Sequence, residues 1–169
     1  MDARARGFLM LLLVAGCAPS VTFDNDVMHG PDGVAFRVGE VPSSWTRVKV
    51  DDSALGFRDE SGSSVMVDGR CNMKADDVPL VALTNQLIIG TTDRKYDKEE
   101  VIPFDRREAR HTVLRAKLDG VPMVWDLYVM KKNGCVYDMA YVAPPDDFER
   151  GQGAFERFAS GFHTVGDPP

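Results

Sequence analysis

The chain has 169 residues, of which 44% are hydrophobic and 27% charged, and its formal net charge is −6 at pH 7. That composition excludes a disordered chain, and the length beyond an N-terminal leader suits one packed domain. The acidic balance, one unit more negative once a leader holding Arg4, Arg6 and Asp2 is removed, speaks against nucleic acid or anionic lipid headgroups as partners.

The chain opens on MDARAR, followed by an apolar run over residues 8–15. Eight residues are less than half of the roughly 20 that a membrane-crossing helix needs. A basic start, a brief apolar run and small residues before a break describe an export signal over residues 1–16. The segment Val14-Ala15-Gly16-Cys17 resembles the lipobox of bacterial lipoproteins. The resemblance implies cleavage before Cys17 and a diacylglycerol thioether on its sulfur, with a further acyl chain that makes the anchor firm. Ala18, where aspartate would favour inner-membrane retention, implies the outer membrane, with the domain in the periplasm.

Residues 17–33 read as a lipidated N-terminus and flexible tether, being rich in Asp, Pro and Gly without an apolar period. Asp24, Asp26 and Asp32 do not make a calcium loop, because Met28 breaks the alternate-ligand spacing and no closing glutamate follows. Residues 34–165 read as a single domain and 166–169 as a disordered tail. Strands are expected over residues 34–38, 45–50, 55–59 and 64–71. A helix follows near 77–89, with Asp77 as its cap, Pro79 in the first turn, an apolar stripe of Leu80, Leu83, Leu87 and Ile88, and Gly90 at its end. The charged stretch TTDRKYDKEE leads to a short strand at 101–104.

Residues 107–142 form the most legible section. Asp119-Gly120 and Asn133-Gly134 are two-residue hairpin turns, which require positive φ at both positions. The resulting register of this β-meander places Leu118 opposite Val121, Leu114 opposite Trp125, Lys132 opposite Cys135 and Leu127 opposite Ala140. One face then collects Leu114, Ala116, Leu118, Val121, Met123, Trp125, Leu127, Val129, Val136, Ala140 and Val142, interrupted by Thr112 and Asp138. The other face carries His111, Arg115, Asp126, Tyr128, Met130, Tyr137, Met139 and Tyr141. Tyrosine and methionine among charges suit a docking surface or pocket. The simpler reading is favoured, however: two amphipathic helices need a surface to pack on, and one of them covers this face. A closing helix near 146–162 starts at Asp146-Asp147 after two prolines and aligns Phe148, Phe155, Phe158 and Phe162, with Gly151 and Gly153 weakening its first half.

The expected fold is α+β, an antiparallel sheet of about six to eight strands covered by two helices. It resembles the PsbP-like fold on two stretches, the FRVGEVPSSWTRV opening and the final FERFASGF helix. That fold is shared by an extrinsic photosystem subunit, a Ran-binding import protein and many bacterial lipoproteins. A group of uncharacterised lipoproteins is similar in pairing a strand-ending cysteine with a later NGCVYD-like segment, here Cys71 and residues 133–138. The resemblance implies docking and brings no catalytic motif; fold alone does not decide function.

In an oxidising compartment Cys71 and Cys135 form a disulfide, the alternative being two buried thiols. No metal or cofactor is expected: His29, His111 and His163 have no ligand spacing, and phosphate-loop, dinucleotide and serine-elbow motifs are absent. The leading reading is a non-enzymatic envelope lipoprotein, an accessory subunit that docks a protein partner. The alternative is a carrier of a small apolar ligand or lipid. An enzyme is the third reading, and it requires an open cleft holding His111 and Asp126 within hydrogen-bond reach.

Overall fold

Two-residue turns and strand alternation organise the chain. The computed structural model describes residues 22–50, 54–71 and 77–166. The lipobox and Cys17 therefore lie outside the described residues, as do 167–169 of the expected tail.

The first strands are β1 (Thr22–Asp24), β2 (Val27–His29) and β3 (Ala35–Arg37), followed by β4 (Thr46–Val48), β5 (Ala54–Arg58) and β6 (Ser64–Arg70). Helix α1 (Leu80–Leu87) leads to β7 (Thr91–Phe104), β8 (Arg107–Leu118), β9 (Val121–Lys132) and β10 (Cys135–Ala143). Helix α2 (Pro145–Ser160) and the short β11 (His163–Thr164) close the chain. Every strand pair is antiparallel: a seven-stranded sheet runs β4-β5-β6-β10-β9-β8-β7, and a four-stranded sheet runs β1-β2-β3-β11.

The meander follows the sequence rule. Asp119, Gly120, Asn133 and Gly134 all take positive φ, and the expected pairs Leu118 with Val121, Leu114 with Trp125, Lys132 with Cys135 and Leu127 with Ala140 are those observed. A connection from β6 to the far edge strand β7 must cross the sheet, and α1 makes that crossing over β8 and β9. It buries Leu114, Ala116, Trp125, Leu127 and Ala140 with Ile88, and Val129 and Val136 with Leu83. Eight residues of helix span only about 12 Å, so the hairpin tip projects beyond α1. Leu118 and Val121, expected in the core, are instead 42% and 57% exposed.

The tether expectation is corrected from Thr22 onward. Asn25 and Asp26 take positive φ in a tight turn, β1 and β2 pair around it, and Met28 is fully buried in the main core. Two other expectations change. Asp77 does not cap α1: Pro79 is the N-cap, and its carbonyl accepts from the amides of Ala82 and Leu83. The short strand expected at 101–104 begins at Thr91 instead, so that the charged stretch is the first part of a 14-residue edge strand with two register shifts. An edge strand buries little on either face, so it shows no apolar period, and its charges deter pairing with foreign strands. Helix α2 forms over its whole length despite two glycines, because its stripe of Phe148, Phe155 and Phe158 is buried, each ring stabilising by roughly 2 kcal/mol.

Candidate functional site

The tyrosine–methionine face is core. Tyr128, Met130, Tyr137, Met139 and Tyr141 join the phenylalanines of α2 and Met28, Val34, Phe36 and Val38 of the small sheet in one buried cluster. Tyr141 stacks between Phe148 and Phe155, and its hydroxyl donates to the Phe148 carbonyl at 3.3 Å. Gly151 makes this seat: a Cβ there would stand 2.7 Å from Tyr141 Cζ and nearer still to the hydroxyl. The candidate binding face is therefore corrected. Of its eight residues only Arg115 is exposed, and its Nε donates to Asp97 Oδ2 at 2.7 Å.

His111 and Asp126 do meet. The ladder sets Glu100 beside His111 and His111 beside Tyr128. His111 Nε2 lies 2.8 Å from Asp126 Oδ1, Nδ1 lies 3.3 Å from Glu100 Oε1, and the imidazole stacks on Tyr128 with centroids 4.1 Å apart. Both ring nitrogens are engaged, His111 is 5% exposed and Asp126 fully buried. The pair is covered, and among the described residues the open cleft that the enzyme reading required is not formed around it, so that reading fails on cover rather than on distance. Burial, together with the carboxylates of Asp126, Glu156 and Glu100, pushes the Tyr128 phenol well above its usual range.

Beside this cluster the surface does open. A cleft of about 300 Å³ runs between α2 and the last residues of β7. Ile102, Phe104, Tyr128 and Phe162 give it an apolar floor, with Phe104 5.5 Å from Tyr128 and 5.8 Å from Phe162 between ring centroids. Glu156, Ser160 and Asp105 supply polar groups at its wall. Asp105 is the fixed member. Burial alone would raise its carboxyl, but bonds from Lys132 Nζ at 2.7 Å and the Thr164 amide at 3.0 Å outweigh it and hold the group below the usual range. Among the described residues β7 pairs with β8 alone, so its outer edge is free, and Pro103 is tolerated there because an edge needs no donor. Chemically, this cleft can accept an extended segment along a strand edge while its acidic wall meets a cation. Sequence reading missed it, since its walls come from residues far apart in the chain; the only local signal was a proline inside a strand.

On the α1 face a second polar cluster replaces the expected break in the core. Asp138 sits directly across from Asp68, and Arg70 binds both. Burial first, opposed by Arg70 and assisted by Asp68, raises the Asp138 carboxyl to about 6. Next to it Cys71 and Cys135 are joined as a disulfide across 64 residues. Among the described residues no group of three or more His, Cys, Asp or Glu could hold a metal.

No protein-family model matches this chain, and no curated protein matches it. Solved structures do. The chain is similar to the cyanobacterial PsbP protein of Synechocystis sp. PCC 6803, at TM-score 0.56 and 16% identity, covering 93% of this chain and 99% of that one. It is similar to LpqN, involved in cell envelope biogenesis of Mycobacterium tuberculosis, at TM-score 0.55 and 9% identity, covering 83% and 90%. The Ran-binding protein Mog1p of Saccharomyces cerevisiae matches at TM-score 0.54 and 11% identity, covering 88% and 96%. The fold is α+β and PsbP-like.

Proposed function

We propose that this chain is a membrane-anchored envelope lipoprotein without catalytic activity, which docks a protein partner through the cleft between α2 and the edge strand β7. The observation that carries the reading is that cleft: an aromatic floor beside an unpaired strand edge, under a wall made negative by Glu156 with Glu100 and Asp126 behind it. A partner segment that adds to the β7 edge and places a lysine or arginine beside Glu156 satisfies every part of it. Support comes also from the lipobox residues up to Cys17, and from relatives by fold that include a Ran-binding protein and a protein of envelope biogenesis. The apolar-carrier alternative has less support, because aromatic side chains fill the space between the sheet and α2.

The test is crosslinking in the native host with an affinity tag after Pro169, followed by mass spectrometry of the captured complexes. Glu156 and Ser160 are exposed, so Glu156→Lys and Ser160→Trp change the cleft without entering the core. Loss of one defined envelope partner in both variants is expected. Retention of that partner in both removes the interface from this cleft, and co-purified lipid with no protein partner overturns docking in favour of a carrier. Cys17→Ala should release the protein from the membrane fraction; persistence there would refute the lipid anchor.

A further inference from the structure

The opposite side of the same sheet end holds a larger cavity that the docking reading does not use. It measures about 880 Å³ and opens between the start of α1 at Leu80 and two hairpin turns, Asp105-Arg106 and Asn133-Gly134. Four of its eight lining residues are cations, Arg106, Arg107, Lys131 and Lys132, in a chain whose net charge is −6. Glu108 is the one carboxylate in that lining.

How these cations are partnered decides what they can do. Further along β8, Arg110 binds Glu99, Arg115 binds Asp97 and Lys117 binds Asp93, each a carboxylate of β7. Arg107 begins the same strand, is exposed and has no such partner among the described residues. Arg106 is likewise exposed and unpaired among them. Lys132 is held by Asp105, and Lys131 donates to the Val78 carbonyl at 2.9 Å, which fixes its ammonium at the groove wall. Two held ammonium groups therefore stand beside two guanidinium groups that have no ion-pair partner among the described residues.

The turn itself points the same way. Arg106 has φ +63, and among the described residues it is the only one in the left-handed region that is not Asp, Asn or Gly. The turns after β8 and β9 place Gly120 and Gly134 at the corresponding second position. Arginine has no local hydrogen bond to offset the clash of its Cβ in that conformation. Strain kept at an exposed position signals a role for the side chain there.

We propose that this groove is a binding site for a phosphate-bearing anion, clasped by Arg106 and Arg107 with Lys131 and Lys132 behind them. Guanidinium forks match the paired oxygens of a phosphate, and the held ammonium groups of Lys131 and Lys132 give the groove a fixed polar wall behind them. The site is independent of the docking cleft, which lies across the sheet and uses other residues. Its phosphate belongs either to a soluble phosphate ester or to a lipid headgroup, and the same chemistry serves both.

The experiment uses the mature chain carrying Cys17→Ala, which lacks the anchor's sulfur and needs no detergent, so vesicle binding reads the headgroups and not the anchor. Isothermal titration with glycerol 3-phosphate reads the soluble arm, and co-sedimentation with phosphatidylcholine vesicles, with and without phosphatidylglycerol, reads the headgroup arm. Binding of glycerol 3-phosphate, or sedimentation that depends on phosphatidylglycerol, supports the site and names the source; failure of both overturns it. Arg106→Gly separates ligand binding from folding. It should raise the melting temperature by relieving the turn while weakening the observed binding about tenfold. A variant that binds as tightly as the original, or that melts lower, refutes the proposal. Arg107→Gln should weaken binding similarly with an unchanged melting temperature, and unchanged affinity in that variant would also count against it.

Discussion

Asp138 makes stability depend on pH in the direction opposite to most paired carboxylates. It lies on β10 across from Asp68, is 2% exposed, and its carboxyl is raised from 3.8 to about 6. Because the folded value exceeds the unfolded one, the native state binds the proton more tightly, and stability falls as pH rises from 3.8 through 6. A displacement of that size costs about 3 kcal/mol at pH 7.5, where the group is charged in both states. Lowering the pH to 5 returns roughly half of it, since the folded carboxyl is then mostly protonated and the unfolded one is not. Urea unfolding between pH 5 and 8 should show that gain in the original chain and lose it in Asp138→Asn, whose side chain keeps the shape without the titration. The comparison is of slopes, so the loss of the Arg70 ion pair in the variant does not enter. Asp105 acts in a separate window: its carboxyl is held low, so its contribution disappears only as pH falls below about 4. Parallel pH profiles for the two proteins would refute the reasoning.

Two further outcomes follow from the core. Reducing the Cys71–Cys135 bond, which closes a 64-residue separation, should cost roughly 4 kcal/mol in the chain-entropy account. Urea unfolding with and without reductant measures that cost, and alkylation before reduction should find neither thiol free. Gly151→Ala should destabilise by about 1–3 kcal/mol through the clash with Tyr141, although alanine is the better helix former by roughly 1 kcal/mol. In a double-mutant cycle Tyr141→Phe should recover part of that loss, and strict additivity would show that the two residues do not meet.

The buried polar groups and the surface cavities belong to one sheet end, and they divide its two sides by charge. On the α2 side Glu156 and Asp105 stand at the cleft's wall, whereas on the α1 side Arg106, Arg107, Lys131 and Lys132 line the groove. The Asp105–Lys132 ion pair stands between them and ties the β7–β8 turn to the end of β9 and, through Thr164, to β11. That linkage gives both cavities a rigid edge.

Local chemistry determined a large part of this protein before any tertiary contact was considered. Turn residues that tolerate positive φ placed Asp119-Gly120 and Asn133-Gly134, and with two-residue turns every cross-strand pair of the meander followed. The phenylalanine stripe after Pro144-Pro145 marked α2, and two cysteines at strand ends marked the disulfide. The turns and the helix are properties of neighbours in the chain or of a strict period, and the disulfide follows from there being one cysteine pair left beyond Cys17. What only the tertiary structure decided concerns which side of each element meets another. Tyr128, Tyr137 and Tyr141 carry polar tips and stand with the adaptable Met130 and Met139 among charges, so their alternation alone suits a rim or a core equally; the landing of α2 and the small sheet on that face buried them. Leu118 and Val121 keep the apolar period of a core strand, yet α1 is too short to reach them. Thr22 to Gly33 lacks any long period because its strands are three residues each, and Met28 became core only through pairing with β3. The cavities depend on the same kind of fact: their walls join residues distant in the chain, and no pattern within one segment records what another segment will bring beside it.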